Sequence, residues 1–218
     1  MKDKTIIISG ADSYRYNAHI NHQHYADVIG IDYKFYLSSG LTNPFFTKCY
    51  AILDSFDKGY DYVLWIDDDA FFIDSTWDCL SVFKNNLEDV IVTQGRTNKK
   101  SGITLFNNGI MFIKNTKTMQ DLFSAIPNIE WDEMKSNWKS EWGPCEGNDQ
   151  PRMIYLTQTR YPNAVKVLDY PGFNAHEITF KKVKNFLETK PPIAHITGTN
   201  KEGKIKRFQK VTGISLFK

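Results

Sequence analysis

Tyr62-Val63-Leu64-Trp65-Ile66 is an unbroken apolar run that stops on three consecutive carboxylates, Asp67-Asp68-Asp69. A run without polar alternation is the pattern of a strand covered on both faces, as in a parallel sheet with helices packed on each side. The neighbouring segments agree. Residues 5–9 form a β-branched run ending in Gly10, and Asp32–Leu37 alternates before Ser38-Ser39-Gly40. Val90–Thr93, residues 110–114, Val165–Leu168 and residues 193–197 read as further short strands. Between them lie helical patterns. The clearest begins at Asn43-Pro44, a capping side chain followed by a proline suited to the first helical position. Phe45, Phe46, Cys49, Ile52, Leu53 and Phe56 then recur at helical spacing until Gly59. Residues 14–29, 76–85, 116–126, 150–157 and 181–187 are the other expected helices. Strands alternating with helices predict an α/β fold with a mostly parallel central sheet flanked by helices.

At 218 residues, 41% hydrophobic and 24% charged, the chain suits one sizeable soluble domain. A net charge of +2 gives no reason to expect nucleic acid as a partner. Cys49, Cys79 and Cys145 show neither metal-ligand nor redox spacing, which favours a reducing compartment without a disulfide framework. No stretch has the length of a transmembrane segment, and the first residues lack a signal-peptide core, so a cytoplasmic location is expected. The basic run from Lys201 to Lys210 reads as a solvated face or tail that could also meet phosphates or an anionic membrane surface.

In open α/β sheets, ligands collect beyond the carboxyl ends of the strands, where Asp67–Asp69 should lie. If the extended conformation persists, Asp67 and Asp69 share one side and Asp68 turns away. Two carboxylates on one side make a hard oxygen site for Mg²⁺ or Mn²⁺, and the third can accept from a ribose hydroxyl. An acidic loop capping the next helix is the plainer alternative. Two chemistries use acids placed this way: haloacid-dehalogenase-like phosphatases, and nucleotide-sugar transferases of the GT-A fold. The phosphatase motif usually sits on a first strand and is followed by Thr or Val. Here two strands precede the acids and Ala70 follows.

The segment Tyr60-Asp61-Tyr62-Val63-Leu64-Trp65-Ile66-Asp67-Asp68-Asp69-Ala70 resembles the metal-binding segment of glycosyltransferase family 34, the galactosyl- and xylosyltransferase group. Asn21-His22-Gln23-His24-Tyr25-Ala26 and Phe46-Thr47-Lys48 resemble it too. Phe106-Asn107-Asn108-Gly109-Ile110 is similar to the strand entry of families 34 and 8, and Asp149-Gln150 to their Asp-Gln pair. His195-Ile196-Thr197-Gly198-Thr199-Asn200-Lys201 is similar to the His-x-x-Gly-x-x-Lys signature of family 8, departing at Glu202-Gly203, where that family often has Pro-Trp. The resemblance spans nearly the whole chain. It implies a single GT-A domain over residues 1–218, with residues 1–105 mainly handling nucleotide and metal and 106–218 mainly sugar and acceptor.

The same resemblance implies a metal-dependent, retaining transfer of a hexose or related sugar from a UDP-sugar to a hydroxyl of a glycan or glycoconjugate. Asp67, Asp69 and His195 would hold Mn²⁺ or Mg²⁺, with a buried structural role the alternative for His195. Gly198 would let the backbone approach the diphosphate and Lys201 would supply it a charge. Asn107 and Asn108 would meet sugar hydroxyls, unless they serve a turn before Gly109. Asp149 and Gln150 would lie near the anomeric centre, unless Asp149 caps the following helix. Asp68 is the candidate ribose contact; Ser9, Gly10 and Tyr14 follow the first strand, where the base is expected. His19, His22 and His24 are expected on a helix surface. Trp131, Trp138 and Trp142 could stack on an acceptor sugar or pack against the sheet. A binding module without turnover, lectin-like or for sugar nucleotides, remains open beside the enzyme. The chain could also be one domain of a longer protein, with a large algal virus as one candidate source and the host cytoplasm then its location.

Overall fold

The computed structural model describes residues 3–38, 43–95, 97–98, 102–175, 190–213 and 215. Its central sheet has six strands: β1 (Thr5–Ala11), β2 (Asp32–Leu37), β3 (Tyr62–Ile66), β5 (Val90–Thr93), β8 (Asn107–Lys114) and β9 (Val165–Leu168). Their spatial order is β2-β1-β3-β8-β5-β9, and β8 alone runs against its neighbours. A smaller sheet joins β4 (Ala70–Phe72), β11 (Ile193–His195) and β10 (Asn174–Ala175). β6 (Thr97–Asn98) and β7 (Gly102–Ile103) form a short ribbon.

The apolar run in β3 has the cause read from its pattern. Val63 and Trp65 enter one core with α2 (Thr47–Asp57), α4 (Lys117–Ala125) and α6 (Asp149–Thr159). Leu64 and Ile66 enter another, with Tyr25 of α1 (Ala18–Ile29) and Phe83 of α3 (Leu80–Lys84). All four side chains are buried, so neither face of this strand has room for a polar residue. Beyond β3, α5 (Trp131–Ser136) and a final helix, α7 (Lys201–Thr212), complete the described α-helices, and single 3₁₀ turns form at Pro44–Phe46, Ile126–Asn128 and Ser140–Trp142.

Local chemistry explains the departures from the sequence pattern. The first helix starts at Ala18 because Tyr16 and Asn17 take left-handed backbone angles, φ 59° and 55°. The helix expected over 76–85 shrinks to Leu80–Lys84. Upstream, the Asp74 and Asp78 side chains accept from the Thr76 and Leu80 amides, giving that backbone partners outside a helix. Asn107-Asn108-Gly109 is no turn; it is the start of β8, where Asn107 pairs with Thr93 and Gly109 O accepts from Asp67 N at 2.8 Å. The basic run from Lys201 to Lys210 is not a tail but the solvated face of a helix: it forms most of α7, which buries Ile205 and Phe208 beneath its charges. The helix expected over 181–187 lies outside the described residues.

Candidate functional site

At the carboxyl end of β3 the chain does not remain extended. Asp68 and Asp69 form a turn in which Ala70 N donates to Asp67 O at 3.1 Å. The expected division of the acids nevertheless results. Asp67 and Asp69 converge on His195, while Asp68 Oδ2 faces the Arg15 guanidinium at 3.6 Å. His195 Nε2 lies 3.1 Å from Asp69 Oδ1 and 3.9 Å from Asp67 Oδ2. One ligand atom from each of the three falls within 4.8 Å of the others.

Two features aim the imidazole. Its Nδ1–H can donate to Asn174 Oδ1 at 3.3 Å, and Asn174 Nδ2 donates in turn to Asn107 Oδ1 at 2.9 Å. That pairing fixes the ring so that Nε2 points between the two carboxylates, where a cation would meet its lone pair. Gly109 then gives the ring its space: a Cβ there would stand 2.2 Å from His195 Cε1 and 2.8 Å from Asp67 Oδ2. Two carboxylates and an imidazole form a donor set that fits a borderline divalent ion. His195 is also only 2% exposed, so burial and a ligand role coincide at this residue.

Two ammonium groups balance the acids. Lys201 Nζ reaches Asp69 Oδ2 at 2.5 Å from the first residue of α7. The turn before it uses left-handed angles at Gly198 (φ 81°) and Asn200 (φ 52°) to bring the chain back toward the acids. Lys48, on α2, is 2.8 Å from Asp149 Oδ2 and 3.5 Å from Asp67 Oδ1, and it donates to Asn108 O at 3.1 Å. Burial opposes the charge on Lys48, but Asp149 and Asp67 outweigh it and hold the ammonium above the usual lysine range. Burial likewise opposes ionisation of Asp69, yet His195 and Lys201 keep its carboxyl well below the ordinary range. Asp68 goes the other way: burial, with Asp69 and Asp67 beside it, pushes its carboxyl up to about 7 despite Arg15 and Lys201.

A cavity of about 470 Å³ opens over this cluster, with walls that include Gly10, Asp68, Asp149, Gln150 and Lys201. Asp149 is the first helical residue and not the cap, since Asn148 holds the cap position. Its carboxylate is therefore free of the helix end and accepts from Asn108 Nδ2 at 2.6 Å, and Gln150 Oε1 accepts from Asn108 N at 3.2 Å. Asn107 stands behind the metal-type cluster, its side-chain oxygen taken by Gly109 N and Asn174. Ser9 is fully buried with its hydroxyl 2.6 Å from Tyr33 Oη, and exposed Tyr14 stacks on Phe35 at 4.9 Å; neither lines the cavity.

The histidines divide. His22 is not on the helix surface: it is fully buried and donates through Nε2 to Ala70 O at 2.8 Å. Burial pushes its pKa down to about 4. His19 packs by Tyr14 and Phe35, and His24 is exposed. Trp142 lies in the core at 5% exposure, while Trp131 and Trp138 pack partly buried against that core. Lys48 is the residue that sequence reasoning left outside the candidate site. Its signal was a lone lysine among Phe46, Cys49 and Ile52 on the apolar side of α2, where a charge needs a buried partner.

Three comparisons bear on this geometry. No curated protein sequence matches the chain. A glycosyltransferase involved in the glycosylation of the major capsid of PBCV-1 superposes with a TM-score of 0.66 at 16% identity, covering 92% of this chain and 98% of that one. The apo form of the glycosyltransferase GlyE of Streptococcus pneumoniae TIGR4 gives 0.50 at 15% identity, over 95% of this chain and 60% of the other. At such identities the likeness concerns the fold, which is of the GT-A type. Among the described residues, no helix is long and apolar enough to cross a membrane. The profile of the nucleotide-diphospho-sugar transferases matches residues 37–208, and the chain belongs to that family.

Proposed function

We propose that the protein is a metal-dependent, retaining glycosyltransferase that moves a hexose or related sugar from a UDP-sugar to a hydroxyl of a glycan or glycoconjugate. The observation that carries this reading is the convergence of Asp67, Asp69 and His195 beside Lys201 at the edge of one polar cavity. Bound by those three residues, Mn²⁺ or Mg²⁺ would stabilise the charge that develops on the departing diphosphate. Lys201 adds a point charge to the same oxygens, and the turn at Gly198 lets the backbone come close to them.

The base and ribose belong at the end of β1, where Gly10 lines the cavity. Asp68, on the cavity wall, offers a carboxyl oxygen to accept from a ribose hydroxyl. Asn108, Asp149 and Gln150 hold the sugar near the cavity centre, with Asn107 supporting them from behind. Asp149 is already engaged by Lys48 and Asn108, and an amide such as Gln150 is a poor nucleophile. Both facts favour attack by the acceptor hydroxyl on the face the diphosphate leaves, with a departing phosphate oxygen taking its proton. In this reading residues 1–218 work as one domain, its first half serving nucleotide and metal, its second half sugar and acceptor.

The test is thermal unfolding with Mn²⁺ and UDP together. At a ligand concentration of a hundred dissociation constants, stabilisation of about 2.7 kcal/mol is expected. Asp69→Ala should lose it, and metal-dependent hydrolysis across a panel of UDP-sugars then identifies the donor. Absence of stabilisation by any nucleoside diphosphate with metal would overturn the reading.

A further inference from the structure

Asp67 and Asp69 each face an ammonium, but the two lysines are held differently. Lys48 is buried and saturated: Asn108 O at 3.1 Å, Asn108 Oδ1 at 3.3 Å and Asp149 Oδ2 at 2.8 Å account for its three donors. Its donors are thus all taken by protein oxygens. Lys201 stands at the cavity wall with its side chain 29% exposed, and its described ion-pair partner is Asp69. Asp69 is thereby engaged at both oxygens, by His195 on Oδ1 and by Lys201 on Oδ2.

This arrangement conflicts with a dication. Asp69 is 3% exposed, so charges that meet there are poorly screened. An ion bound to its carboxylate would find a like charge hydrogen-bonded to the same group. Withdrawal of the ammonium from Oδ2 would strengthen the carboxylate as a metal ligand, and the withdrawn ammonium needs another anion on the cavity side. Resting on the metal-dependent transferase reading above, we propose that Lys201 is a built-in competitor for the metal site: it occupies Asp69 until a diphosphate takes its ammonium. Metal and nucleoside diphosphate then bind cooperatively, because each removes what hinders the other. Lys201 thereby becomes a specificity residue, since a ligand without a diphosphate leaves the lysine on Asp69 and the metal weakly held.

The experiment is Mn²⁺ titration of the wild type, Lys201→Met and Lys201→Gln by calorimetry or by the Mn²⁺ paramagnetic resonance signal, with and without UDP. Without nucleotide, both variants should bind Mn²⁺ on the order of tenfold more tightly than the wild type. The tightening of Mn²⁺ by UDP should be smaller in both variants by a similar factor. Lys201→Gln keeps a hydrogen-bond donor without the charge, so it decides the case if the methionine variant folds poorly. Equal or weaker Mn²⁺ binding by the folded variants overturns the competitor role while leaving the metal-dependent reading intact. Failure of every form, wild type included, to bind Mn²⁺ with or without UDP overturns both.

Discussion

Replacing Gly109 by alanine isolates the packing that sets His195 against β8. The added carbon would stand 2.2 Å from His195 Cε1 and 2.8 Å from Asp67 Oδ2, separations that no relaxed contact reaches, and 3.0 Å from His195 Nδ1. The ring has little freedom to retreat, being 2% exposed and paired with Asn174. Overpacking of this kind costs about 1–3 kcal/mol, and a clash with a confined ring belongs at the upper end. For a chain of this length about 3 kcal/mol lowers Tm by roughly 6–12 °C. Gly109→Ala should therefore unfold earlier in urea or heat and bind Mn²⁺ far more weakly, because the imidazole is pushed from the acids. Gly147→Ala is the control, since a Cβ there meets nothing within 4 Å. A Gly109→Ala protein with wild-type stability and Mn²⁺ affinity would refute the claim that the missing side chain makes room for the histidine.

Two further outcomes follow from neighbouring contacts. His22 takes a proton near pH 4 when folded but near 6.5 when unfolded. As pH falls between those values the unfolded chain binds the proton first, so the native state should lose about 3 kcal/mol across that window and keep it above pH 6.5. Urea unfolding from pH 7 to 4 should show this slope, and His22→Gln should flatten it; an unchanged slope would sink the assignment. Asn174→Ala removes the acceptor for His195 Nδ1 and should weaken Mn²⁺ binding by about 10–100-fold, read by titration. Undiminished affinity would show that the imidazole is aimed by something else.

The chain declared its buried strands plainly where both faces are covered. Tyr62–Ile66 and Val90–Thr93 have only apolar environments to enter, and their patterns match their bounds. Ala70–Phe72 was hidden because three residues after a carboxylate triplet carry no period, and its partner strand lies far along the sequence. Asn107–Gly109 misled for a different reason. Asn-Gly suits a turn locally, but here the glycine answers a histidine from a remote segment, a demand local preference does not encode. Likewise α7 shows few apolar positions, and its helix rests on Ile205 and Phe208 packing beneath the charges. The candidate acids were legible as an anomaly of like charge. The lysine that balances Asp67 and Asp149 was not, because its partners come together only once α2, β3 and α6 are docked.

β4 forms one margin of the small sheet, and α1 closes that margin with side chains. Asn21 gives Nδ2–H to Phe72 O at 2.9 Å and takes Phe72 N–H at 2.7 Å, while His22 donates to Ala70 O. One carboxamide thus imitates the backbone of a neighbouring strand and ends the ladder. An open ladder edge invites another chain to add itself. Here the outward-pointing groups of Phe72 and the carbonyl of Ala70 are already taken, so the turn bearing the acids is sheltered from strand-to-strand association between molecules.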